Sequence, residues 1–376
     1  MSGFGNEFRT WVEVSRGRLR SNVAALRKRL RPAARLMAVV KADAYGHGID
    51  TVAEALAAGV DWFGVANLRE AVCVRRATGS RPVPILILGP ALPSERAAII
   101  EGGFCPVIST LEEAAAYGTE ARKQGVDSVE LHLAVDTGMG RMGVWEQEAE
   151  TLIRAIGGIS SVKLAGLATH FPSADDDAAF TKEQIHRFTG LVTRVRAGGW
   201  NGIVHLANSA GLLRFPECCL ELARVGLAIY GCSPVAGEAA ALRSVLTWKT
   251  RVVLVRELGP GRSVSYGRTF VTGHPTRVAT LAVGYADGYP RSLSGCGAAV
   301  LIQGVPCPLL GRVTMDQVMV DVSACVNVEC GEEAVLLGEQ GGQQITVEQL
   351  ARWAGTIPWE IFTGLGGRVV RMVVDD

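Results

Sequence analysis

The chain has 376 residues, 48% of them apolar, and a formal net charge of +1. Such a length exceeds one ordinary core and implies two domains, and such a composition excludes a disordered chain. The balanced, interspersed charge gives no electrostatic case for nucleic acid or an anionic membrane as partner. No apolar run is long enough to span a bilayer. The opening MSGFGNEFRTWVEV lacks the basic and apolar regions of a secretory signal. Nine cysteines, an odd count without a C-x-x-C pair, fit a reduced cytoplasmic protein better than a disulfide framework or a zinc site, and no histidines stand at metal-ligand spacing.

From about Trp11 to Gly231 short apolar strand candidates alternate with helical stretches. The strands read RLMAVVKA, WFGVA, VPILILG, CPVIS, VELHLAVD, VKLAGLATHF, IVHLANS and ARVGLAIYG. Between them, TLEEAAAYGTEARKQG has a Thr at the N-cap, Glu in its first turn and a closing Gly, and TKEQIHRFTGLVTRVRAGG reads as a further helix. Eight alternations over some 220 residues predict an α/β fold of the (β/α)8 barrel type. The competing doubly wound sheet lacks a G-x-G-x-x-G after its first strand. Past Gly231, VLTWKTRVVLVREL, SVSYGRTF, TRVATLAVGY, AAVLIQGVPCPLLGRVTMDQVMVDVS and EAVLLGE are β-rich, and only TVEQLARWAGT reads as a helix. The expected division is a barrel over residues 1–235 and a mainly β domain over 236–376.

One residue interrupts the first barrel strand. Lys41 sits at the carboxyl end of RLMAVVKA, on the face where barrel active sites lie. Partial desolvation there lowers an amine's pKa and makes it a nucleophile able to form a Schiff base with a carbonyl or with pyridoxal phosphate. A solvated lysine at a strand end is the plain alternative.

The segment Lys41-Ala-Asp-Ala-Tyr45-Gly-His-Gly48 resembles the cofactor-lysine motif of the alanine racemases. VDTGMGRMG, THFPSAD, HLANSAG, RVGLAIYG, VSYGRTF, VGYADGYPR and GRVTMDQ match the same family in the same order, from about Trp11 to Arg371. The resemblance implies pyridoxal 5'-phosphate as cofactor, an α/β barrel with a C-terminal β-domain, and Lys41 as the Schiff-base lysine. It implies a phosphate site made by the Tyr45 and Ser209 hydroxyls and the backbone N–H groups of Gly226 and Leu227, with Asn208 beside them. Without a Cβ, Gly226 lets the backbone approach an oxyanion. Ser209 also reads as an ordinary helix N-cap, which is compatible, because a helix N-terminus is itself an anion site. Arg224 would face the pyridine nitrogen. A guanidinium only donates, so the ring stays unprotonated and a weak electron sink. Arg141 would reach the phenolic oxygen of the cofactor.

Racemisation needs two acid–base groups on opposite faces of the substrate. The resemblance gives Lys41 to one face and Tyr266 to the other. A free phenol titrates near pH 10 and needs a nearby cation or a donated hydrogen bond to act as a base. His170 could pass the influence of Arg224 to Tyr266, or be a satisfied core histidine. In the family the tyrosine enters from a second copy of the chain, with Tyr285, Met315 and Asp316, which implies a homodimer with shared sites. Tyr285, Arg291, Arg312 and Asp175 match the substrate entryway, and Met315 and Asp316 the substrate carboxylate site. Crowding by Tyr266, Tyr285 and Met315 favours alanine over larger amino acids.

Two positions depart from the family. Ala134 stands seven residues before Arg141, where the family often has a carbamylated lysine, so a bound anion or a nearby carboxylate is expected to orient Arg141. Trp359, in TIPWEIF, stands for a tyrosine that touches the phosphate; the indole either keeps one donor there or belongs to the core. The expected function is alanine racemisation supplying D-alanine for peptidoglycan. The alternatives are a serine or broad-specificity racemase, a decarboxylase of similar architecture, a non-catalytic pyridoxal-phosphate-binding protein and a cofactor-free aldolase-type barrel.

Overall fold

A computed structural model describes residues 8–79, 81, 83–238 and 241–376. Residues 1–7 of the N-terminal stretch read above lie outside it. The chain forms two compact units. One comprises Leu19–Ala44 and Gly48–Arg243; the other comprises the described residues up to Arg18, Tyr45–His47 and Ser244–Asp376.

The first unit is a nearly closed parallel barrel. Its strands are Arg35–Val39, Trp62–Val65, Ile85–Ile87, Cys105–Ile108, Val129–Asp136, Val162–Ala168, Ile203–His205 and Leu222–Val225. The first seven pair in sequence, each with its neighbour, and the eighth pairs back onto the first through Leu222↔Arg35, with no ladder between the seventh and eighth among the described residues. A single backbone bond, Arg224 N–H to Ala207 C=O at 2.9 Å, brings the seventh and eighth together. The strands run apolar because both faces of a parallel sheet are covered. Met37, Trp62, Leu86, Cys105, Val107, Ala134 and Leu222 fill part of the interior. All eight expected strands are present, but the last, expected over ARVGLAIYG, ends at Val225, because Leu227–Tyr230 turn into a 3-10 helix. The helices obey their caps. Leu111–Lys123 starts at Thr110, whose hydroxyl accepts the Glu113 N–H, and Gly125 follows its end at φ 69°. The helix expected from Thr181 starts earlier, at Ala178, because the Asp177 carboxylate accepts the Phe180 N–H.

The second unit is mainly β. Its central strand, Leu246–Leu258, pairs with Glu333–Gln340 and Thr10–Ser15, then bends at a bulge near Val252 to pair with Thr276–Leu281. Thr10–Ser15, unforeseen as a strand, also pairs in parallel with Val370–Val374. The long run from Ala298 splits into three strands. The first two, Ala299–Ile302 and Val305–Pro308, are joined by Gln303-Gly304, both at positive φ, the turn that suits a two-residue hairpin. Two expectations need correction. VSYGRTF is no continuous strand but a turn between Ser263–Val264 and Phe270–Val271. Besides Val347–Ala354 there is a second helix, Pro358–Thr363, started by Pro358 at its first position.

One glycine shows how tightly the barrel interior is filled. A Cβ on Gly166, in the sixth strand, would stand 2.5 Å from the imidazole of His132 in the fifth. We predict that Gly166→Ala destabilises the chain by about 1–3 kcal/mol, the cost of an overpacked core. Urea unfolding midpoints measure it, and an unchanged midpoint contradicts the tight packing.

Candidate active site

Lys41 follows the first barrel strand and opens a turn of unusual hand. Ala42, Asp43 and Ala44 have φ between 52° and 54°, and Tyr45 has φ 53°. L-residues seldom occupy this region in succession, so the turn needs external support. Glu70 supplies it, accepting the N–H of Ala42 and of Ala66, each at 2.7 Å. Asp43 closes the turn by accepting the Ile49 N–H through its carboxylate and the Gly48 N–H through its carbonyl. The glycines have separate reasons. A Cβ on Gly46 would meet the carbonyl of Phe362 at 2.1 Å, and Gly48 has φ 93°. His47 is fully buried; its Nδ1 donates to the Tyr45 carbonyl at 2.8 Å, and its ring stands 4.9 Å from that of Phe362. Tyr45 is buried, which raises its phenol to about 12. It is therefore a donor at neutral pH.

Burial, then the charge of Arg141 and that of Arg224, lower the Lys41 pKa; Glu70 opposes them. Neutral amine is thereby made available. Arg141 is presented by the loop that follows the fifth strand. Asp136 folds that loop by accepting the N–H groups of Gly138, Met139 and Gly140, all at 2.8 Å. Ala134 is buried in the barrel core. Among the described residues no carboxylate pairs with Arg141, so the expectation of a nearby carboxylate within this chain does not hold.

Arg224 is buried at the end of the eighth strand. One terminal nitrogen donates to His205 Nδ1 at 2.8 Å and to the His205 carbonyl at 2.7 Å. The other donates to the carbonyls of Thr169 and Leu206 and to His170 Nδ1 at 3.2 Å. Burial lowers its pKa only to about 10, so it remains a cation. Its permanent protons set the order of the histidines. His205 Nδ1 must accept, so its Nε2 donates to His132 Nδ1 at 2.7 Å. Burial, and then the Arg224 charge, hold all three histidines neutral. His132 and His170 are depressed to about 3, and His205 lies well below its ordinary value. Sequence reasoning weighed only His170; the His132–His205 pair carried no spacing that would reveal it.

Asn208, not Ser209, caps the helix Ser209–Arg214, accepting the Gly211 N–H at 2.8 Å. Ser209 is thereby released as a polar group, and its hydroxyl meets the N–H of Gly226 at 3.1 Å and of Ala228 at 3.4 Å. Gly226 has φ −112° and ψ −95°, after which Leu227 opens a 3-10 turn. Hydroxyl and backbone N–H groups thus cluster as an anion cradle requires. Among the described residues nothing accepts from Arg224 Nε, leaving a donor for a ring nitrogen. The residues present fit pyridoxal phosphate.

Tyr266, Tyr285, Met315, Asp316 and Trp359 lie in the mainly β unit. The first three are 72%, 42% and 53% exposed, far more than such side chains usually are. Tyr285 and Ala286 N–H groups bond to the Thr314 and Met315 carbonyls at 3.0 Å. Arg368 ties the two segments by donating to Asp287 and Asp316, each at 2.8 Å. Ser265, just before Tyr266, has φ 64° and ψ −176°, a conformation that costs about 1–3 kcal/mol outside glycine. Trp359 is half-buried on Pro358–Thr363, the helix whose Phe362 borders His47. Arg291 and Asp175 are exposed and Arg312 half-buried.

The buried histidines give a pH prediction. A histidine depressed in the folded state binds fewer protons than in the unfolded chain. Its stabilisation is full above the ordinary value near 6.5 and is lost as pH falls toward 3. The thermal midpoint should fall steadily below about pH 6.5, and more gently in His132→Gln. Parallel slopes for the two proteins would refute this origin.

Two family models match the chain: the alanine racemase N-terminal domain over residues 14–234 and the C-terminal domain over residues 245–373. An alanine racemase of Symbiobacterium thermophilum is 44% identical over 367 residues, covering 96% of each chain. The structure of alanine racemase from Streptomyces coelicolor superposes with a TM-score of 0.92 at 34% identity, covering 98% of both chains. That of alanine racemase from Bartonella henselae, with covalently bound pyridoxal phosphate, gives 0.88 at 26% identity, covering 98% of this chain and all of the other. With both halves of the chain matched and the relatives aligned along nearly its whole length, the chain belongs to the alanine racemase family.

Proposed function

We propose that Lys41 and Tyr266 are the two bases of an alanine racemase, an isomerase that interconverts L- and D-alanine with pyridoxal phosphate as cofactor. The observation that carries the reading is the lowered pKa of Lys41 at a barrel strand end, where burial and the charges of Arg141 and Arg224 outweigh that of Glu70. When bound through Lys41, the cofactor withdraws electrons from the Cα–H bond of the amino acid joined to it. The remaining steps belong to the chain's own residues.

Tyr45, Ser209 and the N–H groups of Gly226 and Leu227 bind the phosphate, with Asn208 holding Ser209 in place. Arg224 donates to the ring nitrogen without giving up a proton, which keeps electron withdrawal weak and return of the proton fast. That bias favours racemisation over side reactions. Lys41, displaced by substrate, takes or returns the α-proton on one face, and the Tyr266 phenol does so on the other. His170, neutral and bonded to Arg224, positions the phenol. Arg141, Met315 and Asp316 receive the substrate carboxylate and cofactor oxygen, and Tyr285 crowds the α-substituent. A small bound anion balances Arg141, since Ala134 brings no charge.

Tyr266, Tyr285 and Met315 are exposed together, and a second copy of the chain is the partner that would use them. The active form is then a homodimer with shared sites. The odd, dispersed cysteines favour a reducing cytoplasm, where D-alanine supplies peptidoglycan synthesis.

The test mixes Lys41→Ala chains with Tyr266→Phe chains, each expected to lose at least about 100-fold as a homodimer. Random exchange makes half the dimers mixed, each with one intact site, so about one quarter of the wild-type rate should return. No recovery after verified subunit exchange would rule out the shared site.

A further inference from the structure

Tyr266 stands near the tip of a turn, residues 265–269, between the paired strands Ser263–Val264 and Phe270–Val271. The base of this hairpin is anchored, with Val264 buried against Val278 and Leu310. The tip is not. No hydrogen bond reaches the Tyr266 phenol among the described residues, and the side chain is largely exposed. Its direction is therefore set by the backbone beneath it.

That backbone is abnormal at Ser265. Its φ of 64° with ψ of −176° is a conformation almost confined to glycine. A glycine would adopt it without strain, so the serine side chain calls for an explanation. Its hydroxyl donates to the Arg312 carbonyl at 2.5 Å. The Arg312 segment forms a floor under the whole turn. A Cβ on Gly267 would stand 3.0 Å from the Arg312 guanidinium, and a Cβ on Gly311 would stand 2.5 Å from the Val264 carbonyl oxygen and 2.9 Å from Ser265 Cβ. With glycines on both sides permitting close approach, the Ser265 hydroxyl is the polar fastener between floor and turn.

We propose that Ser265 is a positioning residue for Tyr266: its hydrogen bond to the Arg312 carbonyl locks the turn and aims the phenol at the substrate α-carbon. This rests on the reading of Tyr266 as the second base. Ser265 acts only through that aim, and a misplacement of about 1 Å in a catalytic group can cost about 100-fold.

The test compares holoenzymes of Ser265→Ala, Ser265→Gly and Tyr266→Phe. Ser265→Ala removes the fastener and keeps the strain; Ser265→Gly removes both, and folds on a backbone that suits it. Each antipode of alanine is supplied in D2O, and two rates are followed. One is racemisation. The other is α-proton exchange with retention of configuration, which on one antipode needs Lys41 alone. Both Ser265 variants should lose about tenfold to 100-fold in racemisation while retentive exchange on that antipode persists near the wild-type rate. Ser265→Gly racemising at the wild-type rate would overturn the proposal. So would an equal fall of both rates in both variants, the mark of a general structural defect. Tyr266→Phe racemising normally would instead sink the second-base reading, and this inference with it.

Discussion

A cation buried where the sixth, seventh and eighth barrel strands end is the constraint on which the candidate site depends. Arg224 cannot lose its charge or accept a hydrogen bond. Three carbonyls and two imidazoles therefore turn toward it from the segments around Thr169 and His205. Its field helps keep three histidines neutral and lowers the Lys41 pKa. Replacing it by a carboxylate would invert each of these effects: the histidines would accept protons and the lysine would hold its own. One residue type thus couples the barrel's buried polar interior to the reactivity of the amine.

A second device recurs in both units. A carboxylate accepts backbone N–H groups, from one to three of them, and so holds an irregular turn that presents a functional side chain. Glu70 supports the left-handed turn after Lys41, Asp136 the loop before Arg141, and Asp287 the N–H of Gly284 beside Tyr285. Each turn has backbone groups that no regular ladder satisfies, and a buried N–H left alone is costly. Ser265 applies the same logic with a hydroxyl. Functional groups are placed by rigid local networks rather than by long flexible loops.

The barrel was legible because parallel strands buried on both faces read as short apolar runs at regular spacing. The ends of elements were less so. Nothing in KADAY announces a left-handed turn, because its residues would suit an ordinary helix and the hand is supported by Glu70 from the helix that follows the neighbouring strand. Thr10–Ser15 escaped notice because its partners, Leu246–Leu258 and Val370–Val374, lie more than two hundred residues away. At the site, Lys41, Arg224 and Ser209 were readable from motifs. The N-cap moved by one residue, from Ser209 to Asn208, because the Asn side chain reaches the Gly211 N–H and leaves the serine for Gly226. His132 and His205 were invisible because their partnership is made by strand register, which places the fifth and seventh strands' side chains together over Gly166. Glu70 did leave a trace, the N-x-x-E spacing from Asn67, but that pattern is common at helix starts and does not tell where else the carboxylate reaches.

Arg224 is a permanent donor that fixes the charge and tautomer of its neighbours. Nitrogen-15 NMR of histidine-labelled holoenzyme at pH 7 reads this directly. His132, His170 and His205 should appear neutral, with the proton on Nε2 and a bare, hydrogen-bonded Nδ1. His47, whose Nδ1 donates to the Tyr45 carbonyl, should show the opposite tautomer and serves as the internal contrast. A cationic signal at pH 7, or a proton on Nδ1, from His170 or His205, which bond to Arg224, or from His132, which bonds to His205, would contradict this.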